Sequence, residues 1–116
     1  MRVACVLLTC LLLAAGCQRS HKTVLGNVPN REMRSILSVR AGTTPSQVNI
    51  HGVMVEKCPT AGCWFRLRDK TGTIKVDTRS AGFVVVNVPL QKEVTVAGKI
   101  IPEGDDVMIE ATGLSY

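Results

Sequence analysis

Residues 48–57, "VNIHGVMVEK", carry the pattern from which the fold follows. Val48 and Ile50 alternate with polar residues, so this half reads as a strand with one apolar face. Beyond Gly52 the apolar positions become Val53 and Val55, which changes the parity. A glycine at a change of parity predicts a bulge or a sharp bend, where the missing side chain lets one strand curl and serve two sheets.

The segments downstream read as further strands. Residues 63–69, "CWFRLRD", set Phe65 and Leu67 against Arg66 and Arg68; "KTG" marks a hairpin turn, and "TIKVD" puts Ile74 and Val76 on one side. "FVVVNV" is apolar without alternation and is expected to pack on a barrel end rather than to form a full strand. "KEVTVAGKII" aligns Val94, Val96, Gly98 and Ile100, "PEGDD" turns the chain, and "DDVMIEATGLSY" closes it with Val107, Ile109 and Ala111. Upstream, "NREMRSILSVRAG" offers Asn30 as an N-cap, Glu32 in the first turn, Met33, Ile36, Leu37 and Arg40 at helical spacing, and Gly42 past the end. The expectation is an all-β chain, a small five-stranded closed barrel with a short N-terminal helix.

The order of these segments resembles the OB-fold of the nucleic-acid-binding and anticodon-binding type over residues 46–116. The shared features are a strand ending in Gly-x-Val, a strand-turn-strand of the form x-L-x-D-x-x-G-x-I-x-V, a strand with V-x-V-x-G-x-I, and a last strand of I-x-A-x-x-L. More narrowly, "CPTAGCW" after "HGVMVEK" resembles a group of uncharacterised small exported OB-like proteins with a Cys-x4-Cys-Trp signature between the first two strands. That group often has methionine after the tryptophan. Phe65 stands there in this chain, so no role of that methionine is carried over, and the resemblance implies no activity.

The chain begins "MRVACVLLTCLLLAAGC", with one positive charge at Arg2, an apolar run from Val3 to Ala15, and small residues before Cys17, the layout of a secretory signal. The run is shorter than the roughly 20 residues of a membrane-spanning helix. Its ending, "LAAGC", resembles the lipobox of bacterial lipoproteins, with Ala14 where leucine is commonest. The resemblance implies cleavage before Cys17, a diacylglyceryl group on its thiol, and a further acyl chain such as palmitate on the new amino terminus. At about 0.8 kcal/mol per buried CH₂, two or three chains hold a protein stably on a membrane that it does not cross. The expected organisation is a signal peptide over 1–16, a lipidated tether with the short helix over 17–45, and the OB-fold domain over 46–116. By the sorting rule of enteric lipoproteins, Gln18 in place of aspartate points to the outer membrane, facing the periplasm, in a cell with two membranes.

Five cysteines are thereby sorted. Cys5 and Cys10 leave with the signal, Cys17 carries lipid, and Cys58 and Cys63 remain as one pair in an exported, oxidising compartment. Charge is less informative: once Arg2 is removed, the 14 basic residues become 13 against 9 acidic ones, spread without a cluster, as on an ordinary soluble surface. His21 falls in the polar stretch "QRSHKTVLGNVP", read as solvated tether.

The sequence has no phosphate-cradling glycine loop, no Gly-x-Ser-x-Gly elbow, no His-Glu-x-x-His and no Cys-x-x-Cys-His. Thiol exchange usually employs Cys-x-x-Cys at a helix start, whose dipole lowers the thiol pKa; here the spacing is longer and the context is strand-turn-strand. The expectation is a protein that is not an enzyme and holds no cofactor.

Three readings of Cys58 and Cys63 remain open. A disulfide would close "CPTAGC", with Pro59 and Gly62 making the turn, and a ring of about six residues contributes roughly 2 kcal/mol. Alternatively two thiolates begin a copper or zinc site, completed by His51, Met54 or Glu56 if Gly52 turns them to one side; the plainer roles of those three are strand edge, core filler and solvated charge. A redox-labile pair or two free thiols is the third reading. Separately, Trp64, Arg66, Arg68 and Lys75 lie on the second and third barrel strands, where OB domains stack and neutralise single-stranded nucleic acid. An exported protein meets little nucleic acid, so the same face is read for a protein, a glycan or an anionic headgroup, or Trp64 simply plugs the barrel mouth. The expected function is a lipid-anchored envelope module that binds or scaffolds, its partners the membrane and another envelope protein. The alternative is a metal-handling lipoprotein.

Overall fold

The computed structural model describes residues 22–116. The segment expected to be a signal peptide, the expected lipidation site Cys17, and His21 lie outside them. The described chain forms β1 (Val24–Gly26), α1 (Ile36–Arg40), β2 (Gln47–Lys57), β3 (Trp64–Asp69), β4 (Gly72–Asp77), a 3₁₀ turn (Arg79–Ala81), β5 (Glu93–Glu103) and β6 (Asp106–Ser115). None of its helices is long and apolar enough to cross a membrane.

Five strands close a barrel. β3 pairs antiparallel with both β2 and β4, β4 runs parallel to β6 at Val76↔Ile109, β6 pairs antiparallel with β5, and β5 returns to β2 over Gln47–Val53. One parallel contact and four antiparallel ones, with no edge left between first and last barrel strands, make a small all-β OB-like barrel. Its interior holds Val48, Ile50, Met54, Phe65, Leu67, Ile74, Val76, Val94, Val96, Ile109 and Leu114, each at most 1% exposed. The apolar alternation of β3 and β4 follows from this, since every second residue faces that core.

β2 departs from the expected parity. Val48, Ile50, Gly52 and Met54 all face inward, so alternation runs unbroken through Gly52, and the register shifts between Met54 and Glu56, at Val55. Gly52 answers a different need: a Cβ there would sit 2.5 Å from the Arg68 carbonyl oxygen and 3.1 Å from the Leu67 Cδ1. The glycine admits β3 at close range, and the bulge falls three residues later. As a consequence Lys57, not Glu56, takes the inward direction at the barrel end. There its ammonium donates to the carbonyls of Val86 at 3.0 Å and Val88 at 2.6 Å. Residues 83–88 form turns with Val85 and Val88 buried, covering that end as the sequence predicts.

The helix also differs from expectation. It starts at Ile36 with Ser35 as the cap, whose hydroxyl accepts from the Ser38 N–H at 3.1 Å. Residues 31–34 are extended instead because β2 offers them partners: the Arg34 N–H donates to the Asn49 carbonyl at 2.9 Å, Asn49 Nδ2 donates to the Pro29 carbonyl at 2.7 Å, and Arg31 donates to Gln47 at 2.9 Å. Tertiary hydrogen bonds outweigh the helical spacing, and Met33 is left exposed. Asp69, at the β3–β4 turn, accepts from the Ile36 N–H at 2.9 Å and so fixes the start of α1 against the barrel. Its pKa lies below the usual carboxylate value: burial opposes this, but the Thr71 hydroxyl and the N–H groups of Ile36, Thr71 and Gly72 outweigh it.

The stretch read as tether is structured from Thr23. β1 pairs with the end of β6, and Thr23 and Tyr116 exchange backbone hydrogen bonds at 2.7 and 2.9 Å. Three-residue strands carry too weak a pattern to be seen in sequence.

Candidate functional site

The outer face of β3 and β4 assembles three of the four residues singled out for binding. Odd parity sends Phe65 and Leu67 inward, so Trp64, Arg66 and Arg68 point outward, and the register sets Lys75 directly across from Arg66. The Arg66 guanidinium lies 6.0 Å from the centroid of the half-buried Trp64 ring, and the Lys75 ammonium 5.8 Å from it. At such distances an exposed cation gains about 0.5–1 kcal/mol from the ring face. Arg68 stands apart, across from Val53 and Thr73, lining a separate groove with His51, Val53, Asp69 and Glu93.

Each cation on the tryptophan also has an acidic neighbour: Glu56 Oε2 is 3.3 Å from Arg66 Nε, and Glu103 Oε2 is 3.1 Å from Lys75 Nζ. The face is therefore an aromatic plate with a zwitterionic rim. Glu103 was not among the sequence candidates, because its approach depends on the barrel closing. Glu56, a candidate metal ligand by sequence, is given to Arg66 by the bulge at Val55.

The cysteines stand beside this plate, at the two ends of the β2–β3 turn. The Cys58 N–H donates to the Trp64 carbonyl at 3.0 Å and the Gly62 N–H to the Cys58 carbonyl at 3.3 Å. The turn is clamped from outside, since the Val85 N–H donates to the Gly62 carbonyl and the Thr78 N–H to the Cys63 carbonyl, both at 2.9 Å. Gly62 has φ +57°, and a Cβ there would lie 2.8 Å from the Val86 nitrogen. Both cysteines are free thiols and partly exposed. The Cys58 Sγ lies 3.5 Å from the Thr60 hydroxyl. That hydroxyl, then the N–H groups of Ala61 and Thr60, with a lesser contribution from the Cys63 thiol, lower the Cys58 pKa to about 6 against a small opposing effect of burial. Nearby, Arg79 forks onto Asp77, its Nε at 3.2 and 3.0 Å from the two carboxylate oxygens.

The metal set does not come together. Met54 is wholly buried in the barrel core, and His51 is exposed on β2 with Nδ1 3.1 Å from Thr95 Oγ1. Among the described residues no three His, Cys, Asp or Glu side chains cluster to hold an ion. The physical reason is the unbroken parity at Gly52, which sends Met54 inward.

No protein-family model matches the chain, and no curated protein matches it in sequence. Among solved structures it resembles one titled "Structure of the hypothetical protein ygiW from E. coli", at 19% identity and a TM-score of 0.55, over 74% of this chain and 90% of that one. At that identity the likeness carries the OB-like fold alone.

Proposed function

We propose that the protein is an exported, lipid-anchored binding module of the cell envelope that presents the Trp64 plate to an anionic ligand and keeps Cys58 and Cys63 joined as a disulfide at rest. The observation that carries the ligand face is the placement of Arg66 and Lys75 on one half-buried tryptophan at the barrel surface. Their carboxylate partners are exposed enough to yield to a competing anion, since surface ion pairs contribute little by themselves. The apolar ring then covers the flat or aliphatic part of the same ligand, a combination found in acidic polypeptides, anionic headgroups and charged glycans. The anchor follows from the lipobox resemblance at Cys17, and the disulfide from two neighbouring thiols in a closed turn of an exported chain.

Trp64 is the sole tryptophan, so its emission reports its own site. Titration with an acidic peptide, anionic-lipid vesicles and a sulfated glycan is expected to shift that emission for one ligand class, salt-sensitively, with Arg66→Ala and Lys75→Ala each weakening binding several-fold. Unchanged emission across the whole panel, or binding that survives Trp64→Ala, defeats the reading.

A further inference from the structure

We propose that the Cys58–Cys63 disulfide is an exchange-active oxidant of thiols on extended, exported polypeptides, with Cys58 as the leaving thiolate. The proposal rests on the resting disulfide of the preceding reading and gives the pair a reaction.

Three features of the turn point this way. First, its backbone is held in the dithiol form by four hydrogen bonds, two within it and two from Thr78 and Val85, so reduction does not require the turn to unfold. Secondly, the Cys58 sulfur lies 3.5 Å from the Thr60 hydroxyl, and the backbone N–H groups of Ala61 and Thr60 add to the stabilisation of its thiolate. Successive N–H groups in a turn form an anion-binding concavity, so the turn does what a helix start does in a Cys-x-x-Cys pair, and the longer spacing ceases to argue against exchange. A stabilised thiolate leaves readily and favours the reduced pair, which makes the disulfide a stronger oxidant. Its lowered pKa is consistent with this. Thirdly, the loop that clamps the turn leaves Val84 and Val86 about half exposed, at 50% and 56%. Two apolar side chains beside an accessible disulfide suit a chain that has not yet buried its own apolar residues.

In the step, a thiolate of the polypeptide attacks Cys63 Sγ. A new S–S bond forms, the Cys58–Cys63 bond breaks, and its electron pair leaves on Cys58. A second polypeptide thiolate then attacks the polypeptide sulfur of the mixed disulfide, and Cys63 departs with the electron pair and takes one proton. Two polypeptide thiols have become one disulfide, and two electrons reside on the cysteine pair. Of the two protons released, one is on Cys63 and the other in solvent.

The test uses the mature full chain, oxidised, mixed without oxygen with a synthetic peptide bearing two cysteines among valines and leucines, and separately with glutathione. Acid-quenched masses give the products. The expected result is one peptide disulfide formed per chain reduced. Thr60→Val, which keeps the shape and removes the hydroxyl, should move the equilibrium toward the chain disulfide by several-fold, at most about tenfold at pH 7. The double variant Val84→Ser, Val86→Ser should slow the peptide and leave glutathione unaffected. A chain that stays two hydrogens short under excess peptide overturns the proposal, as does an equilibrium that Thr60→Val leaves in place. Exchange with glutathione but not with the peptide overturns the polypeptide substrate. If the chain recovered from the envelope carries two thiols, the resting disulfide fails separately, and the chemically oxidised chain still decides on exchange.

Discussion

Gly52 of β2 lies so close to Arg68 of β3 that a Cβ on the glycine would stand 2.5 Å from the arginine's carbonyl oxygen. The obstacle is backbone, which cannot rotate away as a side chain can. Gly52→Ala is therefore expected to cost about 1–3 kcal/mol of stability, read as a lower urea midpoint with an unchanged slope. A variant as stable as the parent would show that the two strands can part without loss.

Lys57 closes the opposite end of the same strand pairing. Its ammonium donates to the carbonyls of Val86 and Val88, while its stem occupies the inward position after the bulge. Lys57→Met keeps the stem and removes the donors, and the expected loss is about 1–2 kcal/mol. Amide exchange should rise in residues 83–88 before it rises in β3 or β4. Uniform exchange throughout the barrel would contradict a local role.

Acid should weaken the fold through three aspartates. Asp77 is held below the usual carboxylate pKa by the Arg79 hydrogen bonds against some burial, Asp106 by the Arg40 hydrogen bonds, and Asp69 by the turn donors that outweigh its burial. A folded-state pKa below the unfolded one means that the folded state binds fewer protons. The contribution is full above the unfolded value of about 3.9 and is lost as pH falls through the lowered values. In the oxidised chain, where Cys58 does not titrate, urea midpoints should accordingly be flat from pH 7 to about 5 and fall below about 4. Asp77→Asn should flatten part of that fall; an unaltered acid limb would remove Asp77 from the explanation.

The reduced chain should alkylate at Cys58 with a rate that reaches half its plateau near pH 6, the value set by the Thr60 hydroxyl and the neighbouring N–H groups. Peptide mapping after brief iodoacetamide treatment separates this site from Cys63. Thr60→Val should move the Cys58 profile toward ordinary thiol values, about 8.5. A midpoint already at that value in the parent chain would contradict the hydrogen-bonded thiolate.

Much of the barrel is legible in sequence because β3 and β4 alternate strictly: Phe65, Leu67, Ile74 and Val76 are inside as their spacing predicts. The same alternation placed Trp64 and Arg66 on one face. The differences are local. Gly52 marks an apparent change of parity in sequence, whereas its lack of a side chain serves a close strand crossing, and the bulge at Val55 has no glycine to mark it. That single displacement moved Met54 from the candidate metal site into the core and gave Glu56 to Arg66. The helix failed in the same manner, because the partners that hold residues 31–34 extended, Asn49 and Gln47, lie more than a dozen residues along the chain. Glu103 reaches Lys75 only after closure, and no window of sequence contains both.

An anchored envelope module with an oxidised cysteine pair is tested most directly by the intact mass of the full-length product recovered from the membrane fraction in detergent without reductant. The expected mass begins at Cys17, carries a diacylglyceryl group and a further acyl chain, and is two hydrogens short for the Cys58–Cys63 disulfide. A chain still beginning at Met1, or cut elsewhere and free of lipid, with both thiols intact, would contradict the account.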